Sequence, residues 1–539
     1  MMKRTFWLIA LSLLSLTLSA SDSLRIHNPQ IPILLDRMDN VLFQIRVPDA
    51  VQGDVLESLT VEFGPDTDLK SMAELRLFYS GTEAVRRQGL RFSPVEYISA
   101  HNVWNTRSAN PSYSVMQEQV SKIGRKVVLH SRQPMVGGIN YYWVSVRMNP
   151  DASLLTELRA RVSEVVVNGK KIPVACDSRE VVRRMGYGVR HAGDDHSMAY
   201  RIPGLVTTNS GSLIGVYDVR WNSSVDLQER IDIGVSRSTD KGQTWEPMRI
   251  AMSFADIDGL PSGQNGVGDP AVLVDEKTGT IWVMAAWTHG MGNGRAWTNS
   301  MPGMEPMETP QLMLARSDDD GRTWSEPINI TKQVKDPSWC FLLQGPGRGI
   351  TMRDGTLVFA IQFIDKDRMP HAGIIFSKDH GETWHIHNPA RSNTTEAQVA
   401  EVEPGVLMLN MRDNRGGARA VMTTRDLGRT WNEHVSHRTT LREPVCMASL
   451  IAVPAEKNVL GKDLLLFSNP DTTDGRRDIT IKASLDGGVT WPYSLLLDEG
   501  DSWGYSCLTM IDSQTVGILY ESSVAHITFQ VVKLKDIVR

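Results

Sequence analysis

The octapeptide STDKGQTW occupies Ser238–Trp245, and its pattern SxDxGxTW, with Ser or Thr first, recurs four more times. The other copies are SDDDGRTW (Ser317–Trp324), SKDHGETW (Ser377–Trp384), TRDLGRTW (Thr424–Trp431) and SLDGGVTW (Ser484–Trp491). These residues suit a hairpin turn, because Asp accepts backbone N–H groups, Gly adopts a left-handed conformation and Trp packs beneath the turn. The turn uses up these side chains, so the repeats indicate architecture and the chemistry must lie elsewhere.

The spacing of the repeats predicts a β-propeller. Their Asp residues are 79, 60, 47 and 60 residues apart, and each interval fits a four-stranded sheet with its loops. Strand-like segments flank the copies, such as IDIGVSRS before the first and TLVFAIQF before the third. Radial repetition of small sheets is typical of a propeller. Five repeats, plus one sheet without a repeat that is closed by the chain ends, predict six blades over residues 183–539.

Residues 22–182 predict a β-sandwich domain. Val41–Val47 (VLFQIRV), Ala73–Tyr79 (AELRLFY) and Asn140–Met148 (NYYWVSVRM) show the alternation typical of strands. Asn168-Gly169 predicts a hairpin turn, because both residues tolerate positive φ. Leu154–Val162 (LLTELRARV) could form one or two helical turns, but its apolar positions leave the choice open. The predicted fold class is therefore all-β, a six-bladed β-propeller domain preceded by a β-sandwich domain.

The first 21 residues predict a signal peptide. Lys3 and Arg4 precede an apolar run from Phe6 to about Leu18, which small residues follow. Because this run is too short to span a bilayer as a helix, we expect a periplasmic or extracellular protein without an integral membrane segment. The cysteines have neither metal-site nor disulfide-framework spacing: Cys176, Cys340, Cys446 and Cys507. The net charge of -5 argues against nucleic acid as a partner.

Four arginines stand near the ends of predicted strands in different blades. They are Arg201 in YRIPGL, Arg220 in VYDVRW, Arg412 in LMLNMRDN and Arg476 in DGRRDITIKAS. A single arginine is more often a surface charge, but the innermost strands of a propeller converge on one axis. Arginines from several blades can therefore meet around one carboxylate, which guanidinium groups bind bidentately.

The repeats and the RIP sequence at Arg201 resemble the sialidase (neuraminidase) family, whose repeats are called Asp boxes, over roughly residues 185–535. The resemblance implies that Arg201, Arg412 and Arg476 grip the carboxylate of sialic acid, and that Arg220 contacts the far side of the sugar. It also implies an exo-α-sialidase that acts with retention on sialylated glycans, glycoproteins or glycolipids and uses no metal or organic cofactor.

Three catalytic residues follow from the same resemblance. Asp226 in RWNSSVDLQER would be the general acid and then the base, which requires a raised pKa. Tyr505 in WGYSCLTM would be the nucleophile, because a neutral phenol is not repelled by the carboxylate on the anomeric carbon of sialic acid. Glu396 in TTEAQVAEVEPG would be the base that activates this phenol.

Several nearby residues are alternatives to these assignments. Arg477 competes with Arg476, Glu229 and Asp232 compete with Asp226, and Glu401 and Glu403 compete with Glu396. Asp269 in NGVGDPAV is expected on a Gly-rich loop, where it would either bind the amide or hydroxyls of the sugar or cap a turn. Trp287, Met291 and the Met-rich loop up to Met307 would either line the pocket or form an exposed loop.

Two other functions fit the sequence. A trans-sialidase would pass the sugar to another sugar instead of water. A non-catalytic sialic acid binding propeller would be expected to lack one of Asp226, Glu396 and Tyr505, whereas all three are present. The sandwich would be a carbohydrate-binding or positioning module, or only a packing partner.

Overall fold

The structure, a computed structural model, describes residues 24–82, 115–176, 181–255, 257, 259–291 and 294–539. The predicted signal peptide lies outside these ranges. The strands before the repeats are β1 (Arg25–His27), β2 (Ile33–Leu34), β3 (Asn40–Ala50), β4 (Leu56–Phe63), β5 (Met72–Thr82), β6 (Val115–Val120), β7 (Lys126–His130), β8 (Gly138–Met148), β9 (Glu157–Leu158), β10 (Ala160–Val167), β11 (Lys170–Ile172) and β12 (Ala175–Cys176).

Ten of these strands, all except β2 and β9, form the two sheets of the predicted sandwich. One sheet has the order β12-β1-β3-β8-β5-β6 and the other the order β11-β10-β4-β7. In β4, Leu56, Leu59, Val61 and Phe63 are buried while the residues between them are more exposed, so one face of the strand joins the core shared by both sheets. This alternation explains why the sequence identified the domain.

The hairpin predicted at Asn168-Gly169 is confirmed. Val167 pairs with Lys170 across the turn, and φ is 49° at Asn168 and 70° at Gly169. Positive φ at both central residues is the geometry of a type I′ turn. The segment left open, residues 154–162, forms a turn, β9 and the start of β10.

The chain from residue 183 onward continues with more strands and a few short helices. The strands are β13 (Arg183–Arg190), β14 (Ala199–Thr207), β15 (Leu213–Arg220), β16 (Ile231–Ser238), β17 (Arg249–Met252), β18 (Asn265–Val274), β19 (Ile281–His289), β20 (Gln311–Ser317), β21 (Ile328–Asn329), β22 (Phe341–Gln344), β23 (Gly347–Arg348), β24 (Ile350–Thr351), β25 (Leu357–Ile364), β26 (Pro370–Ser377), β27 (His385–Ile386), β28 (Arg391–Ser392), β29 (Thr394–Glu403), β30 (Val406–Asp413), β31 (Gly417–Ala418), β32 (Ala420–Thr424), β33 (Asn432–Glu433), β34 (Arg442–Glu443), β35 (Ser449–Val453), β36 (Leu464–Pro470), β37 (Ile479–Ser484), β38 (Tyr493–Asp498), β39 (Ser506–Met510), β40 (Thr515–Tyr520) and β41 (Ile527–Lys533).

The helices are short and lie between strands. The α-helices are α1 (Ala296–Asn299), α2 (Thr331–Val334) and α3 (Leu534–Ile537), and 3-10 helices lie at Leu69–Ser71, Asp194–His196, Ser262–Gln264 and Ala455–Lys457. Within the residues that the structure describes, no helix has both the length and the apolar character needed to cross a membrane.

These strands form successive antiparallel sheets of a β-propeller. The sheets are β14-β15-β16-β17, β18-β19-β20-β21 with β23 added, β22-β25-β26-β27 with β24 and β28 added, β29-β30-β32-β33, β35-β36-β37-β38, and the closing sheet β13-β41-β40-β39. The innermost strand β14 packs against β18 and β39, and β35 packs against β29 and β39, so these strands surround one axis. That the propeller has six blades stays a prediction, and the sheets described here are the candidates for those blades.

The closing sheet joins the two ends of the propeller and also contacts the sandwich. β13 pairs with β41, as expected for closure by the chain ends. On its other side β13 pairs with β2, where Met185 lies opposite Ile33, and β9 also pairs with β13. The domain boundary at residue 182 stays a prediction.

The Asp boxes form the predicted turns. Asp240 Oδ1 accepts the backbone N–H of Thr244 at 2.9 Å, and Ser238 Oγ accepts the N–H of Gly242 at 2.9 Å. The other copies repeat both contacts. Gly242 has φ of 87°, and the indole of Trp245 packs against Phe529 with ring centroids 5.2 Å apart. The role assigned to the repeats is therefore confirmed.

The first box allows a test of fold stability. Gly242→Ala should lower the free energy of unfolding by about 3 kcal/mol or more, because a Cβ would collide with the ring of Phe529 at a left-handed backbone position. Gly487→Ala is the matched control, since Gly487 also has positive φ but open space around its Cα, and should cost about 1 kcal/mol. Urea unfolding of both variants measures the difference, and equal losses would contradict the packing argument.

Candidate active site

The residues predicted from sequence meet at one cavity of about 560 Å³. The cavity is lined by Arg201, Asp226, Asp269, Glu396, Arg412, Arg476 and Tyr505, and also by Arg295 and Trp297. Arg220 is fully buried and bonds directly to Asp226. These side chains come from different sheets of the propeller, which explains how residues distant in sequence reach a common site.

Tyr505 and Glu396 form a hydrogen-bonded pair at the base of the cavity. Tyr505 directly precedes β39, and its phenol O–H donates to Glu396 Oε1. Arg412 Nη1 donates to Glu396 Oε2 at 2.6 Å and lies 3.4 Å from the phenol oxygen. The phenol of Tyr505, the carboxylate of Glu396 and the guanidinium of Arg412 thus contact one another. This is the arrangement of a nucleophile, the phenol, with an adjacent base, the carboxylate.

The environment of Tyr505 keeps its phenol neutral. Burial and the negative charge of Glu396 raise the pKa of Tyr505 well above its ordinary value of 10, although Arg412 and Arg476 act in the opposite direction. Tyr505 is 5% exposed. The phenol can therefore lose its proton only to a base in direct contact with it, and Glu396 occupies that position.

Three guanidinium groups surround Tyr505. Besides Arg412, Arg201 Cζ lies 5.2 Å and Arg476 Cζ 5.7 Å from the centroid of its ring. Arg476 Nη1 donates to the carbonyl of Trp503 at 3.0 Å, and Arg201 Cζ lies 5.1 Å from the Trp503 ring. The arginine cluster predicted from sequence is present, and its positive charge suits a ligand carboxylate bound next to the phenol.

A buried carboxylate that the sequence analysis missed holds Arg201 and Tyr505 together. Glu521 follows β40 and is 0% exposed. Its carboxylate accepts Arg201 Nε at 2.9 Å and Nη2 at 3.4 Å. It also accepts the backbone N–H of Ile202 and that of Tyr505, each at 3.0 Å. One side chain thus fixes both a carboxylate-binding arginine and the backbone of the proposed nucleophile.

Asp226 lies at the open side of the cavity, on the loop between β15 and β16. Its Oδ1 accepts Arg220 Nη1 at 2.8 Å and Arg201 Nη1 at 3.4 Å, whereas its Oδ2 lies 3.9 Å from Arg295 Nη1. The side chain is 52% exposed. Oδ2 is therefore the oxygen best positioned to exchange a proton with a bound molecule.

The pKa of Asp226 differs from the raised value that the sequence analysis expected. Burial acts to raise this pKa, but the positive charges of Arg220 and Arg201 outweigh burial and hold it below its ordinary value. The sequence suggested only the loss of solvent around the carboxyl. The structure adds charged neighbours that stabilise the ionised form.

Asp269 lies in β18, which corrects the expectation that it lies on a loop. The strand has a bulge between Gly268 and Ala271, and Asp269 has φ of 59°. The Gly and Pro residues around it suggested a loop, but a bulge accommodates both. Asp218 Oδ1 accepts the backbone N–H of Asp269 at 2.8 Å. Burial and the negative charge of Asp218 raise the pKa of Asp269 well above its ordinary value, which favours the neutral form of this carboxyl.

The alternative residues lie in other settings. Arg477, the alternative to Arg476, bonds to Asp474. Of the alternatives to Asp226, Glu229 accepts the N–H of Arg230 and Asp232 accepts the indole N–H of Trp221. Of the alternatives to Glu396, Glu401 accepts the N–H of Arg353 and Glu403 pairs with Arg425. Trp287 is 8% exposed and stacks on Phe254 at 4.6 Å, so it does not line the cavity. Met291 does not line it either. Among the described residues of the Met-rich loop, those from Arg295 to Thr298 line the cavity.

Two further site residues had signals in the sequence. In VYDVRW, Asp218 and Arg220 are two residues apart on a strand, so their side chains point to the same face. Both are buried, and Arg220 Nη2 donates to Asp218 at 2.9 Å. Glu521 follows the apolar run TVGILY, where a carboxylate at the end of a buried strand needs partners. Each signal was an acidic residue within or directly after a largely apolar strand.

Comparison with known proteins identifies the family. A family model described as the N-terminal domain of BNR-repeat neuraminidase matches residues 21–171, and one described as a BNR repeat-like domain matches residues 219–518. A sialidase of Bacteroides fragilis is 60% identical over 524 residues, which are 96% of this chain and 96% of that protein. The chain belongs to the BNR-repeat neuraminidase, or sialidase, family. Its activity is that of an exo-α-sialidase, which removes terminal sialic acid from sialylated glycans.

Solved structures agree with this assignment. A structure described as the Hadza microbial sialidase Hz136 is 97% identical, with a TM-score of 0.92, and covers 95% of this chain and 100% of that chain. The intramolecular trans-sialidase of Ruminococcus gnavus is 21% identical, with a TM-score of 0.56, and covers 64% of this chain and 97% of that chain. At this identity the second match shows the shared fold alone. The β-propeller is therefore the fold of the sialidase family as well as of this chain.

Proposed function

We propose that the chain cleaves sialosides with retention, in two steps through a covalent intermediate on Tyr505. The observation that carries this proposal is the contact between Tyr505 and Glu396 inside a ring of three arginines. A neutral phenol can approach an anomeric carbon that bears a carboxylate without the repulsion that a second carboxylate would meet. The ring of arginines favours binding of that substrate carboxylate.

In the first step Tyr505 Oη attacks the anomeric carbon and its proton moves to Glu396. A new oxygen–carbon bond forms as the glycosidic bond breaks, and Asp226 Oδ2 gives a proton to the departing oxygen. Arg201, Arg412 and Arg476 hold the substrate carboxylate during this exchange. The positive charges of Arg412 and Arg476 also stabilise the phenolate character that develops on Tyr505.

In the second step water replaces Tyr505 at the anomeric carbon. Asp226, now ionised, takes a proton from the water, and Glu396 returns its proton to the phenol oxygen as the tyrosyl bond breaks. Each step inverts the anomeric carbon, so the product keeps the α configuration of the substrate. The ionised form of Asp226 that Arg220 and Arg201 favour is the form that this step requires.

The test is the stereochemistry of release together with trapping of the intermediate. Proton NMR of the first turnovers of an α-sialoside should show the α-anomer before it equilibrates. A 3-fluorosialyl donor with a good leaving group slows the second step and should add the mass of one sugar to the peptide that contains Tyr505. Initial release of the β-anomer, or label on another residue, would contradict the proposal. Binding of the sialoside without turnover would identify a lectin instead.

Asp226 makes proton uptake on ligand binding a further prediction. A bound carboxylate adds a negative charge beside Arg201 and excludes water, and both effects raise the pKa of Asp226 from its lowered value. Near pH 5, binding of free sialic acid should therefore take up part of one proton. Calorimetric titration in two buffers of different ionisation enthalpy measures this uptake. Asp226→Asn is the control and should remove most of it; equal uptake by both proteins would show that another group titrates.

We further propose that the chain is exported and acts on sialylated glycoproteins or glycolipids. The basic pair Lys3-Arg4 and the apolar run that follows support export. The open side of the cavity at Asp226, which is 52% exposed, leaves room for a large leaving group. Cell fractionation with N-terminal sequencing of the mature protein tests the first point, and sialic acid release from a glycoprotein and a ganglioside tests the second.

A further inference from the structure

The segment that carries Glu521 contacts the active site on one side and the sandwich on the other, which points to a role for the sandwich. Residues 521–526 connect β40 to β41. Glu521, at one end, bonds to Arg201 and to the backbone of Tyr505. The same segment also reaches the active site through His526, whose ring centroid lies 4.9 Å from that of Trp503 and whose Nδ1 accepts the N–H of Tyr200 at 3.3 Å.

The other side of the 521–526 segment packs on the sandwich. Val524 is 1% exposed and Ala525 0%. They form one buried cluster with sandwich residues Ile31, Leu34, Val41, Phe78 and Trp143. The apolar seat of the segment is therefore made by the N-terminal domain: Val41, Phe78 and Trp143 lie in strands of the sandwich sheets, and Leu34 lies in β2, which pairs with β13.

Arg37 of the sandwich adds a polar contact to this seat. Its Nη1 donates to the carbonyl of Val524 at 2.7 Å. The side chain is 2% exposed, and burial lowers the pKa of Arg37 to about 10, so its position has an energetic cost. Among the described residues Nε and Nη2 have no hydrogen-bond partner, which leaves Val524 as the one acceptor of this guanidinium there.

Further bonds hold the middle of the segment and its neighbours. Asp498 accepts the N–H of Ser523 at 2.8 Å and its hydroxyl at 2.6 Å. The next residue, Glu499, donates its N–H to the carbonyl of Gln30 in the sandwich at 2.8 Å. The segment thus contacts the sandwich through Val524 and Ala525 and the active site through the bonds of Glu521 to Arg201 and Tyr505.

We propose that the sandwich positions the active site: Arg37 and the apolar seat of Val524 hold the 521–526 segment so that Glu521 fixes Arg201 and Tyr505. This inference rests on the proposed roles of Arg201 and Tyr505. Arg37 touches neither substrate nor reacting atoms and is a positioning residue. A shift of about 1 Å in Glu521 displaces a substrate-binding group and the nucleophile together, and displacements of that size cost up to about 100-fold in rate.

The test compares Arg37→Met with a matched change elsewhere in the sandwich. Arg37→Met should lower kcat/KM on an α-sialoside reporter by about 10-fold or more, through both kcat and KM, and should weaken binding of free sialic acid. Arg37→Lys keeps a cationic donor and should restore part of the loss. Leu129→Ala is the control, because Leu129 is buried in the sandwich outside the cluster that seats Val524. At a temperature where it is folded, this variant should change kcat/KM less than 2-fold.

A double-mutant cycle with Glu521→Gln shows whether the effect passes through Glu521. If it does, Arg37→Met should reduce kcat/KM far less in the Glu521→Gln background than in the wild type. Equal reductions in both backgrounds, or equal losses for Arg37→Met and Leu129→Ala, would overturn the inference. If Arg37→Met does not fold, Val524→Ala takes its place in the same cycle. Failure of the proposed function is recognised separately, since the wild type would then form no tyrosyl intermediate.

Discussion

Tyr505→Phe is expected to lower kcat on an α-sialoside reporter by about 10³-fold or more. The substitution removes the attacking oxygen but keeps the ring that packs beside Arg201 and Arg476. Substrate binding should therefore change much less than kcat. Release of a fluorophore from the reporter measures kcat, and titration with free sialic acid measures binding.

Tyr79→Phe is the matched control for this experiment. It also removes a buried phenol hydroxyl, which donates to Asn140 at 2.8 Å, but this residue lies in the sandwich. Its kcat should stay within about 2-fold of the wild type, because surface or core changes away from the site leave the reacting groups in place. If the Tyr505→Phe variant kept one tenth of the wild-type kcat, the assignment of Tyr505 as the nucleophile would be wrong.

Arg476→Leu and Arg477→Leu should differ by about 100-fold in kcat/KM, although the residues are adjacent. Arg476 lines the cavity and lies beside Tyr505, and loss of one partner of a charged hydrogen-bonded pair costs about 2–5 kcal/mol. Arg477 is 40% exposed and bonds to Asp474, so its loss should cost less than 3-fold.

The reporter assay with both variants decides between the two residues. The loss of kcat/KM in Arg476→Leu should be confined to substrates that carry the carboxylate. On a sialoside in which this group is an amide, Arg476→Leu and the wild type should have similar kcat/KM. A larger loss in Arg477→Leu than in Arg476→Leu would reverse the assignment of the third arginine.

The parts of the fold and site that sequence could predict are those whose contacts are local. Each Asp box is closed by bonds within about one turn, such as Asp240 to Thr244, so eight residues are enough to identify it. The strands of the sandwich were visible for the same reason, since alternation is a property of short segments. Arg201, Arg412 and Tyr505 were found because they stand in short motifs that the sialidase family shares.

The parts that sequence could not predict depend on contacts between distant residues. Glu521 is 320 residues from Arg201, and nothing near either residue marks the pair. The sign of the pKa shift of Asp226 required the positions of Arg201 and Arg220 as well as its burial. Asp269 was assigned to a loop because Gly and Pro favour turns, whereas pairing with β19 makes this segment a bulged strand.

The pairing of β13 with β41 sets the order in which a newly synthesised chain acquires its shape. β13 leaves the ribosome directly after the sandwich, whereas β41 follows every other sheet of the propeller. In a growing chain β13 can therefore pair with β2 and β9 while the edge of β13 that later pairs with β41 is still unpaired. Loss of β41 would leave β13 and β40 with unpaired edges, and such edges recruit strands from other molecules.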